Sequence, residues 1–294
     1  MKIIIYLFLI PLCLILAGCT IIALEIYSNI FERHDGQGPY NSWVADYPRD
    51  EIRFYSGENR LQGFIYGNEN DKGLVVISPG IYSYADEYDR IIRYLVDKDW
   101  RVFSYNNTGV DGSEGYSMRG LSQGVIDLYA ALNYIRNSDA LKSLSVMLVG
   151  YSMGGYAVCA VLNYPNNVSA VVSFAGFNCT QEVTESQAVA EAGGVYYIIS
   201  PQILAIENQL FGDTAKLTAV DGINKSNIPV MIIQCSDDEI VTNDVSIYAQ
   251  RDNITNPHLE IVYLEGDDAF GHYFKYYPKE ELYERVYNFL ENSR

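Results

Sequence analysis

The sequence predicts an α/β protein: a mostly parallel, doubly wound sheet with helices on both faces and a helical insertion over one end. Three observations predict it. Apolar runs recur without polar alternation, helical patterns fall between them in turn, and one interval is far too long for a single crossover. Runs of that kind suit strands buried on both faces, which a parallel sheet covered by helices provides. Strand and helix in alternation, joined by right-handed crossovers, build such a sheet. A chain of 294 residues can bury a full-sized core as a single domain of this class.

The first 24 residues stand apart. From Ile3 to Leu24 there is no charge, and Pro11 is the only strong helix breaker. The stretch is long enough to cross a bilayer as a helix and is read as a membrane anchor. Two forms compete. One is an uncleaved signal anchor, with Glu25 as the first flanking acid. In the other, Leu16-Ala17-Gly18-Cys19 resembles a bacterial lipobox, where cleavage before Cys19 leaves that residue lipidated; Thr20 to Leu24 then stays apolar where a polar tether is usual. A buried helix fits less well, because an unbroken apolar run offers solvent no polar face. Either anchor puts the remainder of the chain outside the cytoplasm.

Residues 25–50 read as a polar, aromatic linker with one short helix. Strands follow at Glu51–Ser56 and Leu61–Gly67, separated by turn chemistry in GENR. Buried-type strands are GLVVIS (73–78), RVFSY (101–105), LSVMLVG (144–150), VSAVVSFA (168–175) and PVMIIQC (229–235), with a last strand at Leu259–Leu264. Helical patterns occupy Tyr88–Lys98, Gly120–Asn137, Met153–Leu162, Val245–Asp252 and Lys279–Asn292. Between Ala175 and Pro229 two more, Gln181–Ala192 and Val195–Phe211, read as a helical lid insertion of about 179–212, with a longer crossover packed to the side as the alternative. GINKSN and DGSEG read as turns.

Composition narrows the partners. Acidic residues number 37 against 20 basic, a formal charge of −17. Such a surface repels phosphates, so neither nucleic acid nor anionic lipid is an expected partner through charge. Five cysteines include Cys13 and Cys19 in the anchor; Cys159, Cys179 and Cys235 are too few and too scattered for a disulfide framework. Cys159 and Cys235 lie in apolar runs and read as core residues. No CxxC or His-rich cluster suggests a metal site.

The sharpest signal is GYSMGGY, Gly150 to Tyr156, where an apolar strand meets an apolar helix. A serine held at such a turn has its hydroxyl clear of the sheet, and glycines two residues to either side remove side chains that would collide with neighbouring elements. The following helix turns its first amides toward a developing oxyanion. A serine hydroxyl needs a base. Of three histidines, His34 lies in the linker and His258 precedes the last strand; His272 lies in the loop after that strand, at the sheet edge where Ser152 also sits. An acid to orient the imidazole comes from CSDDEIV, where Asp238 and its neighbour Asp237 both follow a strand. Tyr82, Tyr84, Tyr151 and Tyr273 lie near these residues and read mainly as edge-of-core aromatics with a wet hydroxyl.

The stretch from about Glu51 to Asn292 resembles the α/β-hydrolase superfamily, in layout its membrane-anchored bacterial esterase-like and lipase-like members. ISPGIYSY (77–84) matches the oxyanion loop after the third strand, YNNTGVDGSEG (105–115) the loop after the fourth, and GDDAFGH the stretch that delivers the histidine. The resemblance implies Ser152 as nucleophile, Asp238 as acid, His272 as base, and the amides of Ile81 and Met153 as oxyanion donors. Pro79 stands where the family usually has His, and Asn106 where it usually has Asp. The implied activity is hydrolysis of a small-molecule carboxylic ester or thioester through an acyl-enzyme, with no metal or organic cofactor. GYSMGGY is also similar to the GxSxGG of prolyl-oligopeptidase-like enzymes, so a peptidase or amidase is the second expectation. A membrane-tethered binding protein without turnover is the third.

Overall fold

The computed structural model describes residues 2–36, 42–272 and 279–294. Eight strands form one sheet: β1 (Arg49–Ser56), β2 (Asn59–Tyr66), β3 (Leu74–Ser78), β4 (Arg101–Tyr105), β5 (Val146–Tyr151), β6 (Val168–Phe174), β7 (Val230–Cys235) and β8 (Leu259–Leu264). Their order is β1-β2-β4-β3-β5-β6-β7-β8. β2 pairs antiparallel with both β1 and β4, and every other pairing is parallel. Only β2 is therefore reversed, because the short turn at Gly57 and Glu58 forces a hairpin while the helical crossovers keep the rest aligned.

Alternate residues of the buried strands feed two cores. On one face Leu148, Val171 and Ile232 meet α3 (Gln123–Asn137), α4 (Met153–Ala160) and α7 (Ala219–Lys225). On the other, Met147, Val149 and Val172 meet α2 (Asp89–Val96) and α8 (Glu280–Asn292). Strands that bury both faces cannot alternate in polarity, which is why these runs read as continuous. Each such side chain contributes ~1.5–3 kcal/mol by burial.

Between β6 and β7 lie α5 (Thr180–Ala192), a short 3-10 turn at Gly193–Val195, and α6 (Tyr196–Phe211). The N-terminal helix, α1 (Lys2–Ile30), continues through residues 25–30, which the sequence assigns to the linker. Its Ala23 and Tyr27, with Phe31 just after it, bury in one cluster with Val110, Met118 and Ile203 of α6. Amphipathic contact with the folded body thus extends the helix past the uncharged run.

Two expectations need correction. Val245–Asp252, expected as an α-helix, is a 3-10 helix at Ile247–Asn253; the Ser246 hydroxyl accepts from the Ala249 amide, and the tight connection to β8 suits the narrower winding. GINKSN, expected as a turn, lies partly in α7, whose Thr218 cap accepts from the Asp221 amide. Gly222 there is no breaker: a Cβ would collide with the Cys159 carbonyl, so the glycine lets α7 lie close on α4.

Candidate active site

Ser152 joins β5 to α4 with φ 55° and ψ −117°. A non-glycine residue held there stores of the order of 1–3 kcal/mol, a cost met only where surroundings fix the turn. They do so here. The Ser152 amide donates to the Phe174 carbonyl at 2.9 Å and its carbonyl accepts from the Tyr156 amide at 3.0 Å. A Cβ on Gly150 would collide with the Gly154 carbonyl, and one on Gly154 with the Ser78 carbonyl. One on Gly155 would press into the Phe174 carbonyl. The glycines therefore allow the elbow between two strands and a helix.

The loops after β5, β7 and β8 converge on this elbow. Ser152 Oγ lies 3.0 Å from His272 Nε2, and His272 Nδ1 lies 2.9 Å from Asp238 Oδ2 and 3.1 Å from Oδ1. The three residues are buried, with Ser152 only 7% exposed. Asp238 Oδ1 also accepts from the amides of Ile240 and Val241 at 2.9 and 2.8 Å, which pins the carboxylate toward the imidazole. Asp237 turns elsewhere and accepts from the Gly271 amide at 2.8 Å, one residue before the histidine. The two adjacent aspartates are thus separated by what they bind: one the ring, the other the backbone beside it.

The loop after β3 lies across the elbow. The Gly80 amide donates to the Tyr88 hydroxyl at 2.8 Å. Among the described residues the Ile81 amide donates to no protein acceptor, and Met153 opens α4, where an amide has no intrahelical acceptor. Asn106, the departure after β4, ties the β4 loop to the end of the β3 loop. Its Oδ1 accepts from the Ala85 amide at 2.7 Å, and its side-chain amide donates to Gln62 at 2.9 Å. Pro79 lies directly behind Gly154.

Other sequence candidates fall into the background. His34 pairs by a β-bridge with Val110 and meets the Tyr82 ring edge-on, while His272 alone among the described histidines contacts the serine. His258 precedes β8 at the sheet edge opposite Ser152, its carbonyl accepting from the Val230 amide. Cys159 and Cys235 are buried, and burial pushes the Cys159 thiol up to about 12. Tyr273 lies outside the described residues. Tyr151 has a role the sequence did not disclose: its hydroxyl donates to the His272 carbonyl, and the rings lie 5.3 Å apart. Tyr88 was hidden as well, lying inside a segment that reads only as an amphipathic helix.

A second polar cluster stiffens the loop after β4. Buried Asp127 of α3 accepts from Ser56 Oγ at 2.6 Å, from the Thr108 amide at 2.7 Å and hydroxyl at 2.9 Å, and from Gln123 Nε2 at 2.8 Å. Burial pushes its carboxyl above the usual carboxylate range, and these donors oppose that.

The strand order, the single reversed strand and the elbow at the carboxyl edge define the α/β-hydrolase fold. More narrowly, residues 69–211 match the serine aminopeptidase S33 family. Among solved structures, an esterase of Pyrococcus furiosus superposes with a TM-score of 0.68 at 18% identity, over 90% of this chain and 98% of its own. A Butyrivibrio proteoclasticus protein solved with ferulic acid gives 0.59 at 15% identity, over 82% and 98%. An acylaminoacyl peptidase of Pyrococcus horikoshii gives 0.62 at 17% identity, over 87% of this chain and 44% of its own. No curated protein matches the chain.

Proposed function

We propose that the protein is a serine esterase in which Ser152, His272 and Asp238 act as a triad. The unbroken line from Ser152 Oγ through both ring nitrogens of His272 to Asp238 carries this reading. His272 Nε2 takes the serine proton as Oγ attacks the ester carbonyl, while Asp238 holds Nδ1–H and stabilises the imidazolium. The negative charge on the former carbonyl oxygen is met by the Ile81 and Met153 amides. Collapse breaks the C–O bond, and His272 gives the proton to the departing alcohol. Water, deprotonated by the same imidazole, then attacks the acyl-enzyme, and the acid leaves as Oγ regains its proton.

A peptidase or amidase is the second reading, favoured by the S33 match and the peptidase neighbour. It uses the same residues with an amine as leaving group. Membrane attachment through α1, with the hydrolase outside the cytoplasm, is proposed from the uncharged run alone.

The test is fluorophosphonate labelling of the full chain in detergent beside Ser152→Ala and His272→Ala. Labelling of the unaltered chain only is expected, followed by faster turnover of p-nitrophenyl butyrate than of aminoacyl p-nitroanilides. A folded chain that fails to label overturns the hydrolytic triad in favour of a binding role; faster anilide turnover moves the amidase reading to first place.

A further inference from the structure

The free apolar surfaces of α1 and α6 face the same way. Both helices end against residues 118–120. The Met118 amide donates to the Phe31 carbonyl at 2.8 Å, and the Arg119 guanidinium reaches the Leu210 carbonyl at 3.5 Å. A Cβ at Gly120 would collide with Tyr27 and Phe211 together. From that shared end the helices run back side by side, with Ala23, Tyr27 and Ile203 in one buried cluster. They are therefore parallel, and the amino end of α6 lies alongside the uncharged part of α1.

After Lys2 the first charged residue of α1 is Glu25, and α6 carries none before Glu207; Glu191, at the end of α5, is the one charge flanking its tip. Tyr27 donates to Glu207, which fixes the levels of Glu25 and Glu207 against each other. Beyond them α1 exposes Ile21, Ile22 and Leu24, while the tip of α6 exposes Val195 (62%), Tyr197 (57%) and Ile198 (62%). The Tyr197 hydroxyl donates to Glu185 of α5 at 3.0 Å, so its ring can enter an apolar layer while its oxygen stays at the polar boundary. The same helices roof the site: Ile81 packs against the α1–α6 cluster, and Gln187 of α5 donates to the Ile240 carbonyl beside Asp238.

We propose that residues 193–198 form a second membrane contact beside α1, and that the site takes an amphiphilic, long-chain acyl ester from that bilayer. The substrate half rests on the reading of Ser152 as nucleophile. The occupant is lipid rather than a second copy because the uncharged run of α1 is about 33 Å long as a helix, matching the hydrocarbon layer, and the α6 tip continues its surface. A formal charge of −17 makes this contact hydrophobic and zwitterionic lipid its better host.

Two measurements on the full chain in phosphatidylcholine nanodiscs test it. With Ile198→Trp, lipids brominated near the headgroup should quench the added indole beyond the signal of buried Trp43 and Trp100. No extra quenching overturns the contact, and so does emission that responds to protein self-association instead of to bromine. With Ile198→Asp, turnover of a bilayer-resident long-chain ester relative to p-nitrophenyl acetate should fall about tenfold, the scale of one lost interfacial apolar side chain. An unchanged ratio overturns the substrate class. Quenching without fluorophosphonate labelling of the unaltered chain overturns the serine reading and leaves the contact standing.

Discussion

At the scale of single residues, the proposed chemistry depends on which of two adjacent aspartates faces the ring. Asp238 touches His272 Nδ1 and two loop amides, whereas Asp237 accepts from the Gly271 amide. Asp238→Asn should therefore lower kcat about 10⁴-fold by presenting an amide where a carboxylate orients the ring, with little change in KM. Asp237→Asn keeps an oxygen for the Gly271 amide and should lower kcat less than about tenfold. Steady-state kinetics on p-nitrophenyl butyrate separate the two; equal losses would sink the assignment. The glycines are as exacting for another reason. Gly154→Ala forces a methyl into the Ser78 carbonyl, so the chain should lose ~3 kcal/mol or more, read as a lower thermal midpoint. These positions were legible in the sequence because the steric rule for the elbow and the scarcity of histidine each leave few choices. Tyr88 and Asn106 were not, since nothing in the sequence tells which hydroxyl meets the Gly80 amide or which side chain meets that of Ala85.

At the scale of elements, β3 through β7 were legible because burial on both faces leaves an unmistakable apolar run. α7 was not. Seven residues carry too little periodicity, and Gly222 looks like a breaker until α4 is seen beneath it. Asp127 shows how elements are fastened around the site: one carboxyl collects donors from β1, α3 and the loop after β4. Asp127→Asn substitutes a donor for one acceptor oxygen and leaves at least one buried donor unmet, which should cost ~1–3 kcal/mol in denaturant unfolding. The same residue sets a pH trend. Burial raises its folded carboxyl above the unfolded value, so the folded state holds this proton more tightly. Its contribution to stability is full below the unfolded pKa and is lost as pH rises through the folded one. The difference in stability between Asp127→Asn and the unaltered chain should therefore shift with pH across that window, in favour of the unaltered chain toward acid. A difference that is flat in pH would mean that the carboxyl is ionised throughout.

At the scale of the whole molecule, α1 belongs to two environments at once. Leu12, Leu14, Ile15 and Leu16 are exposed in its uncharged run, while Ala23, Tyr27 and Phe31 join the folded body through α6 and the loop carrying Met118. The sequence separates these halves poorly, because Tyr27 and Phe31 lie beyond the uncharged run and read as linker aromatics; only their partners, far along the chain, identify them as core. Tyr82 adds a hydrogen bond to the Ile30 carbonyl from the loop that also carries Ile81. The end of α1 is consequently part of the wall around the proposed site, and losing it should cost more than losing the uncharged run. A chain beginning at Cys19 retains this contact whether or not that residue is lipidated, and its thermal midpoint should match the full chain in detergent. A chain beginning at Gly36 exposes Ile203, Met118 and Val110 and strips Glu207 of its tyrosine. Three buried side chains at ~1.5–3 kcal/mol each imply a fall in midpoint of about 10 °C or more. Fluorophosphonate labelling should slow in parallel, because the loop carrying Ile81 loses its outer support. Equal midpoints for the two shortened chains would reduce α1 to a tether with no part in the fold.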